Sequence, residues 1–211
     1  MFELSKSSFD AIVLGCGGNP TAQPEEHARL LRAYHQAHRA YHTAQHLREC
    51  LAYLGQAQSA LAQSEIAEIA FALWYHDAVY RPQRGDNEVR SARWLRVRAQ
   101  QFSISAGVTK RLVTMILATR HGVVALPEDA QSQLLLDIDL AILAAAPARF
   151  REYCGQIRFE YAFVPPAIFA AKRAQVLRGF LALGKIYHSP FGARFEVAAR
   201  LNLTNEIAIL F

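Results

Sequence analysis

The chain has 211 residues, of which 52% are hydrophobic and 19% charged. That is enough for one well-buried domain, short for two, and too apolar for a disordered chain. The formal charge of +5 would draw phosphate-bearing ligands. However, Arg29, Arg32, Arg93, Arg96, Arg98, Arg111 and Arg151 are scattered singly, which argues against a nucleic-acid tract.

Residues 2–13 form a short apolar segment, followed by a Gly- and Pro-punctuated loop, GCGGNPTAQP, at 15–24. The loop lacks the GxGxxG or Lys-Ser/Thr ending of a phosphate cradle. AIVLGC, ending at Cys16, has the look of a lipoprotein cleavage site, but Asp10 interrupts it and its apolar stretch is too short for a signal peptide. Pro24-Glu25-Glu26 reads as the first turn of a helix running to about Gln36. A second helix begins near Thr43 and ends near Gly55. Ser64 is placed to cap a third, with Ile66, Ile69, Ala70 and Leu73 at helical spacing and His76-Asp77 at its end. RPQRGDN (81–87) is a loop in which Asp86 or Asn87 can cap a fourth helix. Ser105 opens a fifth, stopped by Gly122.

Beyond Pro127, LLLDIDLAILAAA is most easily read as a buried helix, although LLLDIDL alone would serve as a strand. Pro147 begins a long helix through Tyr161, Pro165-Pro166 breaks it, and a further helix runs through Val176 and Phe180. After Ser189-Pro190 a last amphipathic helix carries Phe195, Ala198 and Leu201. With no hairpin signal, repeat or polar linker, the expectation is a single all-α domain. Phe150, Phe159, Phe163, Phe169 and Phe180 are spaced like core. Cys16, Cys50 and Cys154 form no CxxC and cannot all pair, and no run is long enough to span a membrane. A soluble cytoplasmic protein without a membrane partner is expected, and a homo-oligomer is compatible with it.

Chemistry concentrates at a few polar residues in apolar surroundings. His42 and His46 are four apart, so they share one face of a continuous helix or, with Thr43 as cap, flank a helix start. His76-Asp77 closes the run EIAFALWYHD, where an unpaired carboxylate would be costly to bury and a cation or arginine would offset the cost. Asp137 and Asp139 lie inside LLLDIDL and point in different directions. One is expected at the metal, the other paired with arginine or holding a ligand histidine. Two imidazoles and two carboxylates make a mixed N/O site for one divalent ion (Mn, Fe, Zn, Co, Ni or Mg).

The order H…HD…D resembles the HD-domain superfamily of metal-dependent phosphohydrolases, which has an all-helical core. YHTAQH is similar to the YHNxxH element of cyclic-nucleotide phosphodiesterases, distant members of that superfamily. HRAYHTAQHL, LWYHDAVY, DNEVRSARWL, ILATRHG, DIDLAILA and IRFEYAFV together resemble a bacterial family of predicted HD phosphohydrolases without a settled substrate, over roughly residues 30–205. The resemblance implies His46, His76, Asp77 and Asp139 as metal ligands and His42 as general acid. Thr43 stands where the phosphodiesterases have Asn, and their base-recognising glutamine has no counterpart here, so cyclic-nucleotide specificity is not implied.

The expected activity is hydrolysis of a phosphoester of a nucleotide or related small metabolite. Asp77 would orient a metal-activated water and His42 would protonate the leaving oxygen. Arg39, Arg81 and Arg84 are candidates to stabilise phosphoryl charge. Glu88, Arg158, Glu160 and Tyr161 are candidate polar groups of the cleft, or else buried structure. His121 could touch substrate or ligate a second metal, which would open a di-iron oxygenase reading. A binding module that holds a phosphorylated ligand without turnover is the other alternative.

Overall fold

The computed structural model describes residues 2–120 and 126–210, and among them the chain forms ten α-helices and no strand. They are α1 (Lys6–Gly15), α2 (Glu26–Tyr34), α3 (Ala44–Ala57), α4 (Gln63–Tyr75), α5 (Asn87–Gln101), α6 (Ala106–Ala118), α7 (Ala130–Asp139), α8 (Pro147–Glu160), α9 (Pro166–Ala182) and α10 (Glu196–Ile209). The all-α expectation holds, and no helix among the described residues is long and apolar enough to cross a membrane. His121 and the expected helix stop at Gly122 lie outside the described residues.

The expected boundaries shift where capping chemistry differs. Thr43 caps α3 as one of the two sequence readings had it, its Oγ1 accepting the Gln45 N–H at 3.2 Å. Ser105 caps α6 in the same way, from the Val108 N–H. Ser64 does not cap α4. That helix starts one residue earlier, and Glu65 reaches back to accept the Ala62 N–H at 2.8 Å, half of a capping box. Asp86 precedes α5 without capping it, because its carboxylate is engaged by Arg84 at 2.7 and 2.9 Å. LLLDID is helical, with Asp129 as an unforeseen cap accepting the Ser132 N–H, and it tightens into a 3-10 turn over Leu140–Ala144.

The packing centres on α4. Every residue from Ile66 to Tyr75 is buried, so this helix is wrapped on all sides rather than amphipathic. α1, α3, α5, α6 and α7 all touch it. At Gly15 a Cβ would come within 2.6 Å of the Ala67 Cβ, so glycine sets how closely α1 lies on α4. The buried acid on α4, Glu68, takes two charge-assisted bonds from Arg111. Trp74, Phe9, Phe71 and Phe102 fill the large cluster formed by α1–α7. A smaller cluster unites α8, α9 and α10 with Tyr41 and the 140–144 turn. The cleft described next lies between elements of these two clusters.

Candidate metal centre

His46 leaves the first turn of α3, His76 caps the end of α4, Asp77 follows it, and Asp139 ends α7. Three helix termini therefore aim four donors at one point. His46 Nε2 lies 3.1 Å from His76 Nε2, 3.1 Å from Asp139 Oδ1 and 3.6 Å from Asp77 Oδ2. His76 Nε2 lies 3.1 Å from Asp77 Oδ2 and 3.5 Å from Asp139 Oδ1. Donors sharing a cation at about 2.1 Å sit roughly 3.0–3.4 Å apart. The spacing and the N/O chemistry fit a divalent ion.

Neighbouring groups hold the donors in place. His76 Nδ1 donates to the Leu73 carbonyl at 2.7 Å, which leaves the Nε2 lone pair for the site. Burial alone would keep His76 neutral and Asp77 protonated. Their mutual attraction, with Asp139 and His42 nearby, reverses both, raising the imidazole and holding the Asp77 carboxyl far below the usual carboxylate range.

Sequence reasoning gave Cys50 no place here. Its Sγ lies 3.7 Å from both ring nitrogens of His46, and His46, Cys50, His76 and Asp139 form a group that could hold a metal ion, with donor atoms all within 4.8 Å of one another. The available signal was its position four residues after His46, on the same helix face. Burial pushes its thiol well above the ordinary value.

The remaining acid and cations sort themselves by what they touch. Asp137, fully buried, neither approaches these donors nor meets arginine. Its carboxylate accepts from the backbone N–H of His188 and Ser189 and from the Ser189 hydroxyl, and a Cβ on Gly192 would collide with it. It fastens the turn before α10. Arg39 is also structural. Its guanidinium donates to the carbonyls of His42, Asp77 and Ala78, stitching the two donor-bearing segments together rather than facing a ligand. Arg81 approaches His38, and Arg158 closes the end of α8 on the carbonyls of Tyr161 and Val164; neither lines the cleft.

His42 stands beside the donors, its ring stacked 3.9 Å from that of Tyr80. Nδ1 is 2.7 Å from Glu160 Oε2. Glu160, buried in the last turn of α8, also accepts the backbone N–H groups of Ala40, Tyr41 and His42 and the Tyr80 hydroxyl. Burial works against charge on both groups. The carboxylates of Asp77 and Glu160 nevertheless raise His42, and the bonds to Glu160 bring its pKa down to about 2. Glu160 is thus a hub behind the cleft rather than part of its lining.

A cleft of about 510 Å³ opens over His42, Asp77 and Asp139. Glu88, Tyr161 and Arg84 line it as expected, and so do Lys172 and Arg173 of α9, which sequence reasoning passed over. The phenylalanines read as core divide. Phe150 is buried, Phe169 and Phe180 face the cleft, and Phe159 and Phe163 are exposed. Among the described residues there is no second group of metal-capable side chains. His27, His35 and His38 are spent on backbone carbonyls. No family model, curated protein or solved structure matches this chain.

Proposed function

We propose that the protein is a metal-dependent phosphohydrolase of the HD type. The observation that carries this reading is the convergence of His46, His76, Asp77 and Asp139 beneath an open cleft, with His42 held by Glu160 beside them. His46, His76, Asp77 and Asp139 would hold a divalent cation, which would supply positive charge for the phosphoryl oxygens and would lower the pKa of water toward neutrality. Asp77 would accept a hydrogen bond from the attacking water and orient it. His42 uses Nδ1 on Glu160, so Nε2 is the atom that donates to the leaving oxygen, a contribution of roughly 10²- to 10⁴-fold. Glu160 stays ionised and keeps the imidazole protonated and oriented. The substrate class that accords with this chemistry is a small phosphoester.

The test is hydrolysis of a panel of phosphomonoesters and phosphodiesters by chelator-stripped protein before and after addition of Mn²⁺ or Co²⁺. Metal-dependent phosphate release that falls at least a hundredfold in His42→Ala is expected. Metal-dependent binding of phosphoesters without any turnover would make the protein a binding module instead.

A further inference from the structure

We propose that the cleft selects the phosphate ester of an apolar alcohol, aliphatic or aromatic, with its phosphate at the Asp77–Asp139 end. The position of the phosphate rests on the phosphohydrolase reading above; the character of the rest of the ligand rests on the cleft walls.

Leu140, Ile142, Leu143, Ile157, Phe169 and Phe180 form an apolar wall of the cleft. Val176 continues it outward and is 51% exposed, so the apolar surface runs on to the mouth of the cleft. An apolar group placed there leaves water on contact with side chains that need no polar partner.

Several polar groups of the lining are committed to the protein itself, while the Tyr41 hydroxyl, the Glu88 carboxylate and Lys172 have no partner among the described residues. The Asn87 amide is bonded to the Arg81 N–H and to the carbonyls of Arg81 and Arg84. Thr119 donates to Ile116, Tyr80 to Glu160, and Arg173 to the Tyr153 hydroxyl. Arg84 is forked onto Asp86. A polar organic group would lose its water bonds here and find few replacements. Lys172, exposed at the mouth, has no partner among the described residues and supplies positive charge where a phosphorylated ligand enters.

The experiment is calorimetric titration of the Mn²⁺-loaded full chain with methylphosphonate, octylphosphonate below its micelle concentration, and adenosine monophosphate. Phosphonates carry the charged head without a hydrolysable ester, so binding is read apart from turnover. Each methylene buried contributes roughly three- to fourfold in affinity. Octylphosphonate is expected to bind at least thirtyfold more tightly than methylphosphonate and more tightly than the nucleotide. Val176→Asn, at a half-exposed site that tolerates a polar side chain, should remove several-fold of that preference and leave methylphosphonate unchanged. Equal binding of the two phosphonates, no binding of either, or tighter binding of the nucleotide overturns the proposal. Hydrolysis of phosphoesters alongside equal phosphonate binding sinks the apolar preference alone. Selective octylphosphonate binding by a protein that hydrolyses no ester keeps the ligand class and removes the catalytic reading.

Discussion

The two hydrophobic clusters serve the site in different ways. The larger one, wrapped round α4, fixes the helix termini from which His46, His76, Asp77 and Asp139 project. The smaller one, built from α8, α9 and α10, contributes none of these donors. From it come Glu160, which holds His42, and the apolar face of the cleft. Placing the candidate donors and holding His42 are therefore separate physical tasks, assigned to separate parts of the chain. Substitutions on either side should separate them experimentally.

The largest effect is expected on the donor side. His76→Ala or Asp77→Ala removes one of four donors and leaves buried charge uncompensated, so elemental analysis should find the bound metal lost, with all metal-dependent turnover. Full metal content in both variants would break the assignment. On the other side, Glu160→Gln keeps the shape but weakens the charge-assisted bond to His42. Turnover should fall by about 10- to 100-fold while metal content stays at the wild-type level, and a parallel loss of metal would erase the contrast between the clusters.

Asp137→Ala supplies a control within one helix, two residues from Asp139. It removes the acceptor for two backbone N–H groups and a hydroxyl. Unfolding stability should drop by about 3 kcal/mol, measured by chemical denaturation, with metal still bound. Loss of metal from Asp137→Ala and not from Asp139→Ala would reverse their roles.

Acid gives the smallest and most gradual effects. Glu160 is held at about 2, below its ordinary value of 4.5. Its stabilisation is thus complete above the unfolded value and is lost as pH falls from there through about 2. Denaturation midpoints should decline over that window, and Glu160→Gln should flatten the decline. His76 is shifted the other way, upward. A cation must displace its proton, so metal affinity should rise with pH until that imidazole is neutral. An affinity that is flat across the acidic range would mean that His76 is not a donor.

Much of this was legible in the sequence because it is local. Thr43, Ser105, Pro147 and Pro166 mark helix starts by chemistry that acts within one turn. His76-Asp77 stood out because an apolar run does not end in a charge without a partner. What escaped depends on contacts distant in sequence. Periodicity placed Asp137 and Asp139 on different faces, yet it does not say which face meets His46 and which meets the turn at 188–189. Arg39, three residues before His42, was a natural phosphate contact on spacing alone. Only the tertiary arrangement directs it to the carbonyls of Asp77 and Ala78 instead. Phe169 and Phe180 share composition with core, and only the gap beside them makes them a cleft wall.

Glu160 has one more consequence, and it concerns time. Every one of the four candidate donors has been synthesised once the ribosome passes Asp139, but the carboxylate that binds the 40–42 backbone and His42 comes twenty-one residues later. A nascent chain caught between those points holds all four candidate donors with an imidazole that Glu160 does not yet orient. The order of translation thus delays positioning of His42 until α8 has emerged.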